Sequence, residues 1–292
     1  MDISPALVKE LRERTGAGMM DCKRALVEAK GAIDLAADLL RMAGAAKADK
    51  KASRVASEGR VAIKSDDQAG RHALLEVNSE TDFVAKDDNF RAFVDTVAGL
   101  VLTKRPASVE ELMRVTVDGQ TVEELRLALV TKVGENIAVR RFELIESLGT
   151  VGAYLHGTRI GVLVQLEGGS AELARDLAMQ VASLAPRYVA ADDVPKDLVD
   201  KEREIIMAQT ADEKKPPEIL AKMVEGKLRK FVDEITLAGQ VFVKDDKKRV
   251  RDLLAANKAK VKGFCRYEVG EGIEKKKDDF VQEVMAQAKQ SR

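Results

Sequence analysis

The residues best suited to act on another molecule lie in the stretch Glu76-Val77-Asn78-Ser79-Glu80-Thr81-Asp82-Phe83-Val84-Ala85-Lys86-Asp87-Asp88-Asn89-Phe90. Inside it, Phe83 and Val84 form an aromatic–aliphatic pair beside the acid Asp82. The chemistry this offers is recognition rather than bond-making. A large apolar side chain on a short, well-held loop can enter a pocket on another protein. Phenylalanine is also commonly buried, so the competing reading has Phe83 folding back onto the sheet or helix as a core plug.

No other stretch offers a catalytic constellation. His72 and His156 are the only histidines, and neither lies near a cysteine or in an HExxH arrangement; no metal and no cofactor is expected. GxSxG and GxxxxGK[ST] patterns are absent, and Gly226-Lys227-Leu228 lacks both the leading glycine and the Ser/Thr, so direct nucleotide binding is not expected. Cys22 and Cys265 stand far apart without a CxxC, which fits a reducing compartment. Lys+Arg and Asp+Glu balance at 49 each. The basic excess of a nucleic-acid binder is missing, and no nucleic-acid partner is expected. No apolar run reaches the ~20 residues of a membrane helix. The N-terminus passes from Met1-Asp2-Ile3 straight into a helix pattern without a signal-peptide core, so a soluble cytoplasmic protein is expected.

The 76–90 stretch needs a strand before it and a helix after it. Ala73-Leu74-Leu75 supplies the end of a strand. Phe90, Phe93, Val94, Val97 and Val101 recur at helical spacing, with Asp87 or Asp88 as N-cap. Upstream, Ser4-Pro5 starts a helix carrying Leu7, Val8 and Leu11. A second helix runs from about Met19 to Lys30, and a third carries Leu35, Ala36, Leu39 and Leu40 and ends near Gly44. Met19-Met20 either fills this small bundle or adapts to a partner surface. Ala45 to Ser57, with Lys47, Lys50, Lys51 and Arg54, reads as a basic linker, and a nucleic-acid contact is the other reading.

Val61-Ala62-Ile63 and Ala73 to Val77 read as strands around the turn Asp66 to Gly70. The order recurs later. Val151 to Leu155 and Ile160 to Leu166 flank the turn His156-Gly157-Thr158-Arg159, and Ser170 caps a helix with Leu173, Leu177, Val181 and Leu184. Val109 to Leu112 and Val122 to Val133 look helical; Gly134-Glu135-Asn136 breaks the pattern before a strand at Ile137 to Glu143. Two amphipathic runs on either side of Pro216-Pro217 read as a helical hairpin. Gln240 to Val243 and Val261 to Glu268 add strands. Lys244 to Arg251 mixes signs and reads as a solvated face, and Asp278 to Lys289 as a terminal helix.

Four segments in order resemble the bacterial translation elongation factor Ts family. They are Leu11-Arg12 with Thr15 to Lys23, Glu76 to Ala85, His156 to Val164, and Gly263 to Lys275. The resemblance implies an α+β protein: an N-terminal three-helix, ubiquitin-associated-like domain; a core of two similar strand-strand-helix subdomains with antiparallel sheets; a helical-hairpin (coiled-coil) protrusion; and a C-terminal helix. The expected segments are 1–55, 56–145, 146–263 with the hairpin at about 196–231, and 264–292.

What the resemblance implies for activity is guanine-nucleotide exchange on elongation factor Tu, both GDP-bound and nucleotide-free, without catalytic residues of its own. Thr81, Asp82, Phe83 and Val84 would dislodge the magnesium ion of Tu. Met19, Met20, Lys23, Lys51, His156 and Val243 would touch the partner, and a homodimer through the hairpin is allowed. Two departures stand out: Ser79 follows Asn78 where cysteine is common in the family, and Lys244 follows Val243 where methionine occurs.

Overall fold

The computed structural model describes residues 3–210 and 215–274. It opens with α1 (Pro5–Thr15), α2 (Met19–Glu28) and α3 (Ile33–Lys51). The Ser4 hydroxyl accepts from the Leu7 N–H at 3.2 Å and caps α1. Leu11, Cys22, Leu26 and Ala36 are fully buried between the three helices. The third helix does not end near Gly44 as expected but continues to Lys51. Gly44 serves packing instead of termination. A Cβ there would stand 2.7 Å from Thr131 Oγ1, so the glycine lets α3 lie close against a later helix. The Ala- and Lys-rich residues beyond it favour helix and carry α3 onward.

Next come β1 (Glu58–Asp66), β2 (Arg71–Ser79), α4 (Asp82–Lys86), α5 (Asp88–Lys104) and α6 (Val109–Arg114). A two-residue ribbon, β3 (Thr116–Val117) with β4 (Gln120–Thr121), leads into α7 (Val122–Val133) and β5 (Ile137–Glu146). The first sheet is antiparallel in the order β1-β2-β5. Its central strand is buried on both faces, in keeping with the two-residue period of a strand. Ala73, Leu75 and Val77 pack with Phe90, Val94, Val97 and Val101 of α5. Leu74, on the opposite face, packs with Val61, Leu163 and Tyr267, which joins this sheet to a second one.

The second sheet holds β6 (Thr150–His156) and β7 (Ile160–Glu167), followed by α8 (Ala171–Leu184). Then come α9 (Lys196–Thr210), α10 (Pro217–Ile235), β8 (Val241–Phe242), β9 (Asp245–Arg249), α11 (Val250–Ala256) and β10 (Lys260–Glu268). The order is β10-β7-β6, again antiparallel. Leu173, Leu177 and Val181 of α8 cover Val162, Val164 and Leu166 of β7. The two sheets meet where Gly161 has no side chain; a Cβ there would lie 2.4 Å from Val61 and 2.7 Å from Leu74. This is the α+β architecture expected, with two strand-strand-helix units in series.

Strand β10, which bonds to β7, runs across the boundary expected between 263 and 264. The charged run Lys244 to Arg251 is not only a solvated face: it contains β9 and begins α11, anchored by the fully buried Val250. The short ribbon at Thr116–Thr121 was not anticipated. In the hairpin, Ile206 of α9 meets Val224 and Leu228 of α10 in a small core of their own, partly covered by Val199 and Phe231. The terminal helix expected at Asp278 to Lys289 lies outside the described residues. No helix among the described residues is long and apolar enough to cross a membrane.

Candidate partner-binding site

Residues 82–86, expected as a loop, form the short helix α4. Thr81 caps it, its hydroxyl accepting from the Val84 N–H at 3.4 Å. Asp82 lies in the first turn and Lys86 in the last, each favourable to the helix dipole, and they pair at 2.6 Å. Hydrogen bonding from Lys86 holds the Asp82 carboxyl below the ordinary carboxylate range. Asp87 closes α4 and opens α5, its carboxylate accepting from the N–H of Asn89 at 2.8 Å and of Phe90 at 3.2 Å. Ala85 is buried and Val84 half-buried against the α5 core. Phe83, pinned between these anchors, is 79% exposed. The core-plug reading fails, because the residues that anchor the turn are its neighbours. The Lys86 ammonium stands 6.0 Å from the Phe83 ring centroid.

A second layer holds the cap. The Glu135 carboxylate accepts from the Thr81 N–H at 3.0 Å and from its hydroxyl at 2.6 Å. Asn136 donates its N–H to Glu80 at 2.6 Å and its side-chain amide to the Arg54 carbonyl at 2.9 Å. In the sequence, Gly134-Glu135-Asn136 reads only as a helix break. Its Gly–acid–amide composition was the available signal, but it does not point to position 81.

Beneath the site, Glu76 is fully buried on β2. It accepts from Arg141 Nε at 2.6 Å, Arg140 at 3.0 Å, Asn78 at 3.1 Å and the Gly270 N–H at 2.8 Å. Burial alone would raise its pKa; the Gly270 N–H, Arg141 and Asn78 together outweigh burial and hold the carboxyl below the ordinary range. The Arg141 guanidinium also sits 4.2 Å from the Tyr267 ring centroid.

The remaining expected residues fall into three places. Met19 and Met20 begin α2 at 60% and 72% exposure, with Lys23 exposed one turn on. Lys132, whose side chain passes near Gly16, donates to Asn89 at 2.7 Å. Lys51 ends α3 with its ammonium beside Gly134, so it converges with Thr81–Val84 on the Glu135 turn. His156 ends β6, exposed, its Nδ1 3.2 Å from the Tyr154 hydroxyl. Its turn carries Arg159, which pairs with Glu58 at 2.6 Å and adds to the positive field at Asp82. Val243 lies elsewhere, beside β8, its N–H donating to the buried Gln180 at 2.8 Å. Its neighbour Lys244 pairs with Asp176 of α8, so the departure at that position is a charge with a partner of its own.

Chemically, the site can recognise a surface. His72 is buried and bonded to Ser65 at 2.9 Å, with burial lowering its pKa, and is a structural residue. Among the described residues no group of three or more His, Cys, Asp or Glu could hold a metal. What the fold presents is an apolar side chain on a rigid stand, with exposed methionines on a separate helix.

Residues 80–271 match the family model for elongation factor TS. Elongation factor Ts of Thioalkalivibrio sulfidiphilus is 57% identical over 99% of both chains. That of Alkalilimnicola ehrlichii is 53% identical over 100% of both. That of Xanthomonas campestris is 54% identical over 99% of both.

Proposed function

The chain belongs to the elongation factor Ts family of translation factors, and on that premise we propose that it is the guanine-nucleotide exchange factor for elongation factor Tu. It acts without catalytic residues of its own, in the cytoplasm, on Tu·GDP and nucleotide-free Tu. The observation that carries this reading is the exposure of Phe83 on a helix capped at both ends.

Exchange is a coupling between two ligands of Tu. The factor binds nucleotide-free Tu more tightly than Tu·GDP, and by linkage GDP weakens the factor equally. Contacts that reach the magnesium and phosphate site provide that difference. Thr81, Asp82, Phe83 and Val84 make them: Phe83 as a wedge, Thr81 as its cap, Asp82 and Val84 as its flanks. Because the wedge is held before binding, little ordering cost is added. Residues 1–55 act as a docking unit through Met19, Met20, Lys23 and Lys51, while His156 and Val243 add contacts from the second unit. The hairpin, with Ile205, Met207 and Ile219 exposed, offers a surface for a second copy.

The test is release of fluorescent GDP from Tu with and without excess chain, repeated across ionic strength. Strong stimulation with a shallow salt dependence is expected of apolar contacts; a steep loss with salt would mark a phosphate-binding protein instead. No stimulation at any salt refutes the reading.

A further inference from the structure

The turn at Glu135 and Asn136 touches two segments that are distant in sequence. One Glu135 oxygen accepts the Thr81 N–H at 3.0 Å and the other accepts the Thr81 hydroxyl at 2.6 Å. The buried Asn136 faces the other way. Its amide nitrogen donates to the carbonyls of Arg54 at 2.9 Å and Ala52 at 3.4 Å, just past the end of α3. One turn therefore grips both the support of Phe83 and the strand of chain that leads in from the N-terminal helices.

A charged acceptor that takes two donors from one residue fixes orientation as well as distance, since hydrogen bonds weaken steeply off line. Thr81 caps α4, so the direction of α4, and of Phe83 on it, follows the position of Glu135. Resting on the exchange reading above, we infer that Glu135 is a positioning residue for the Phe83 wedge, and that Asn136 ties its position to the seating of residues 52–54. Without Glu135, α4 samples other orientations. Complexes still form through the remaining contacts, but fewer of them have the wedge in place.

The test titrates the full chain against Tu carrying fluorescent GDP and separates the saturating release rate from the half-saturation concentration. For Glu135→Ala the saturating rate falls at least about tenfold, the scale of a lost hydrogen bond to a charged acceptor. Half-saturation stays within about twofold, because uniform binding is spared. Glu135→Gln, nearly the same shape and still an acceptor, recovers most of the rate. The double variant Glu135→Ala/Thr81→Val loses less than the sum of the two single losses, since the two side chains share the hydroxyl–carboxylate contact. An unchanged saturating rate, a Gln variant no better than Ala, or a loss confined to half-saturation overturns the inference.

Failure of the wild-type chain to stimulate release would instead strike the exchange reading. Amide hydrogen exchange of the free chain keeps the two apart, because it needs no partner. Glu135→Ala and Thr81→Val must each speed exchange at residues 81–86 relative to the rest of the first sheet, and Glu135→Gln must do so less than Glu135→Ala. Protection equal to wild type in either Glu135→Ala or Thr81→Val overturns the inference.

Discussion

The carboxylate of Glu76 accepts a hydrogen bond from the backbone N–H of Gly270, 2.8 Å away and 194 residues further along the chain. The contact ties the central strand of the first sheet to the turn just after β10 in the second, on the strand that leads to Thr81. Arg140 and Arg141 both pair with this side chain, which has no exposure.

Removing that carboxylate should leave two arginines short of a buried partner. We expect Glu76→Ala to lose about 3–5 kcal/mol of stability at neutral pH, the range for breaking a buried pair by deleting one partner. The pH dependence has a definite sign. The folded-state pKa of Glu76 lies below its unfolded value, so its contribution is complete above about pH 4.3, the ordinary glutamate value. It is lost as pH falls through the lower folded value. Thermal midpoints of wild type and Glu76→Gln should therefore converge in acid. A gap that stays constant from neutral pH down through the acid range would contradict the assignment.

Gly44 and Thr131 test the packing of α3 on α7. Alanine in place of an exposed mid-helix glycine usually gains up to about 1 kcal/mol. Here the added methyl meets Thr131 Oγ1 at 2.7 Å, and overpacking costs about 1–3 kcal/mol. Gly44→Ala should thus destabilise wild type but be neutral or stabilising in a Thr131→Ala background. Denaturant midpoints of the four proteins measure the change of sign, and the same effect in both backgrounds would refute the close approach.

The α9–α10 hairpin has its own small cluster around Ile206, Val224 and Leu228. Cutting it back to a short loop should leave one cooperative unfolding transition and most of the exchange activity. Any effect should appear in self-association or half-saturation, read by sedimentation and by titration. A broad, non-cooperative transition in the shortened protein would place the hairpin in the main core.

Much of this was legible in the chain. A cap at Asp87 or Asp88, of which the structure uses Asp87, the Phe90–Val101 stripe and the duplicated strand-strand-helix order all depend on spacings of a few residues, and each survives in the structure. What escaped was non-local or too short. Five residues of α4 cannot show a helical period, so Thr81 to Lys86 looked like a loop. Gly44 looked like a helix stop because a packing glycine and a capping glycine are identical in sequence. Glu135 meets Thr81 across 54 positions, and no local pattern links an acid after a helix to a cap on another one. The mixed charges of Lys244 to Arg251 hid a short strand and the start of a helix whose first residue, Val250, is buried.

Phe83 carries the central claim. At 79% exposure, its truncation to alanine should shift the thermal midpoint by no more than about 2 °C, as surface substitutions do. As an interface anchor it is worth ~2–4 kcal/mol. If that falls on the nucleotide-free complex, stimulated GDP release slows by a factor on the order of 30 or more. The direct measurement is the release rate of fluorescent GDP from Tu at saturating Phe83→Ala, with and without excess magnesium, beside its melting curve. The account predicts a stable protein with poor exchange; a stable protein with normal exchange, or one strongly destabilised, would contradict it.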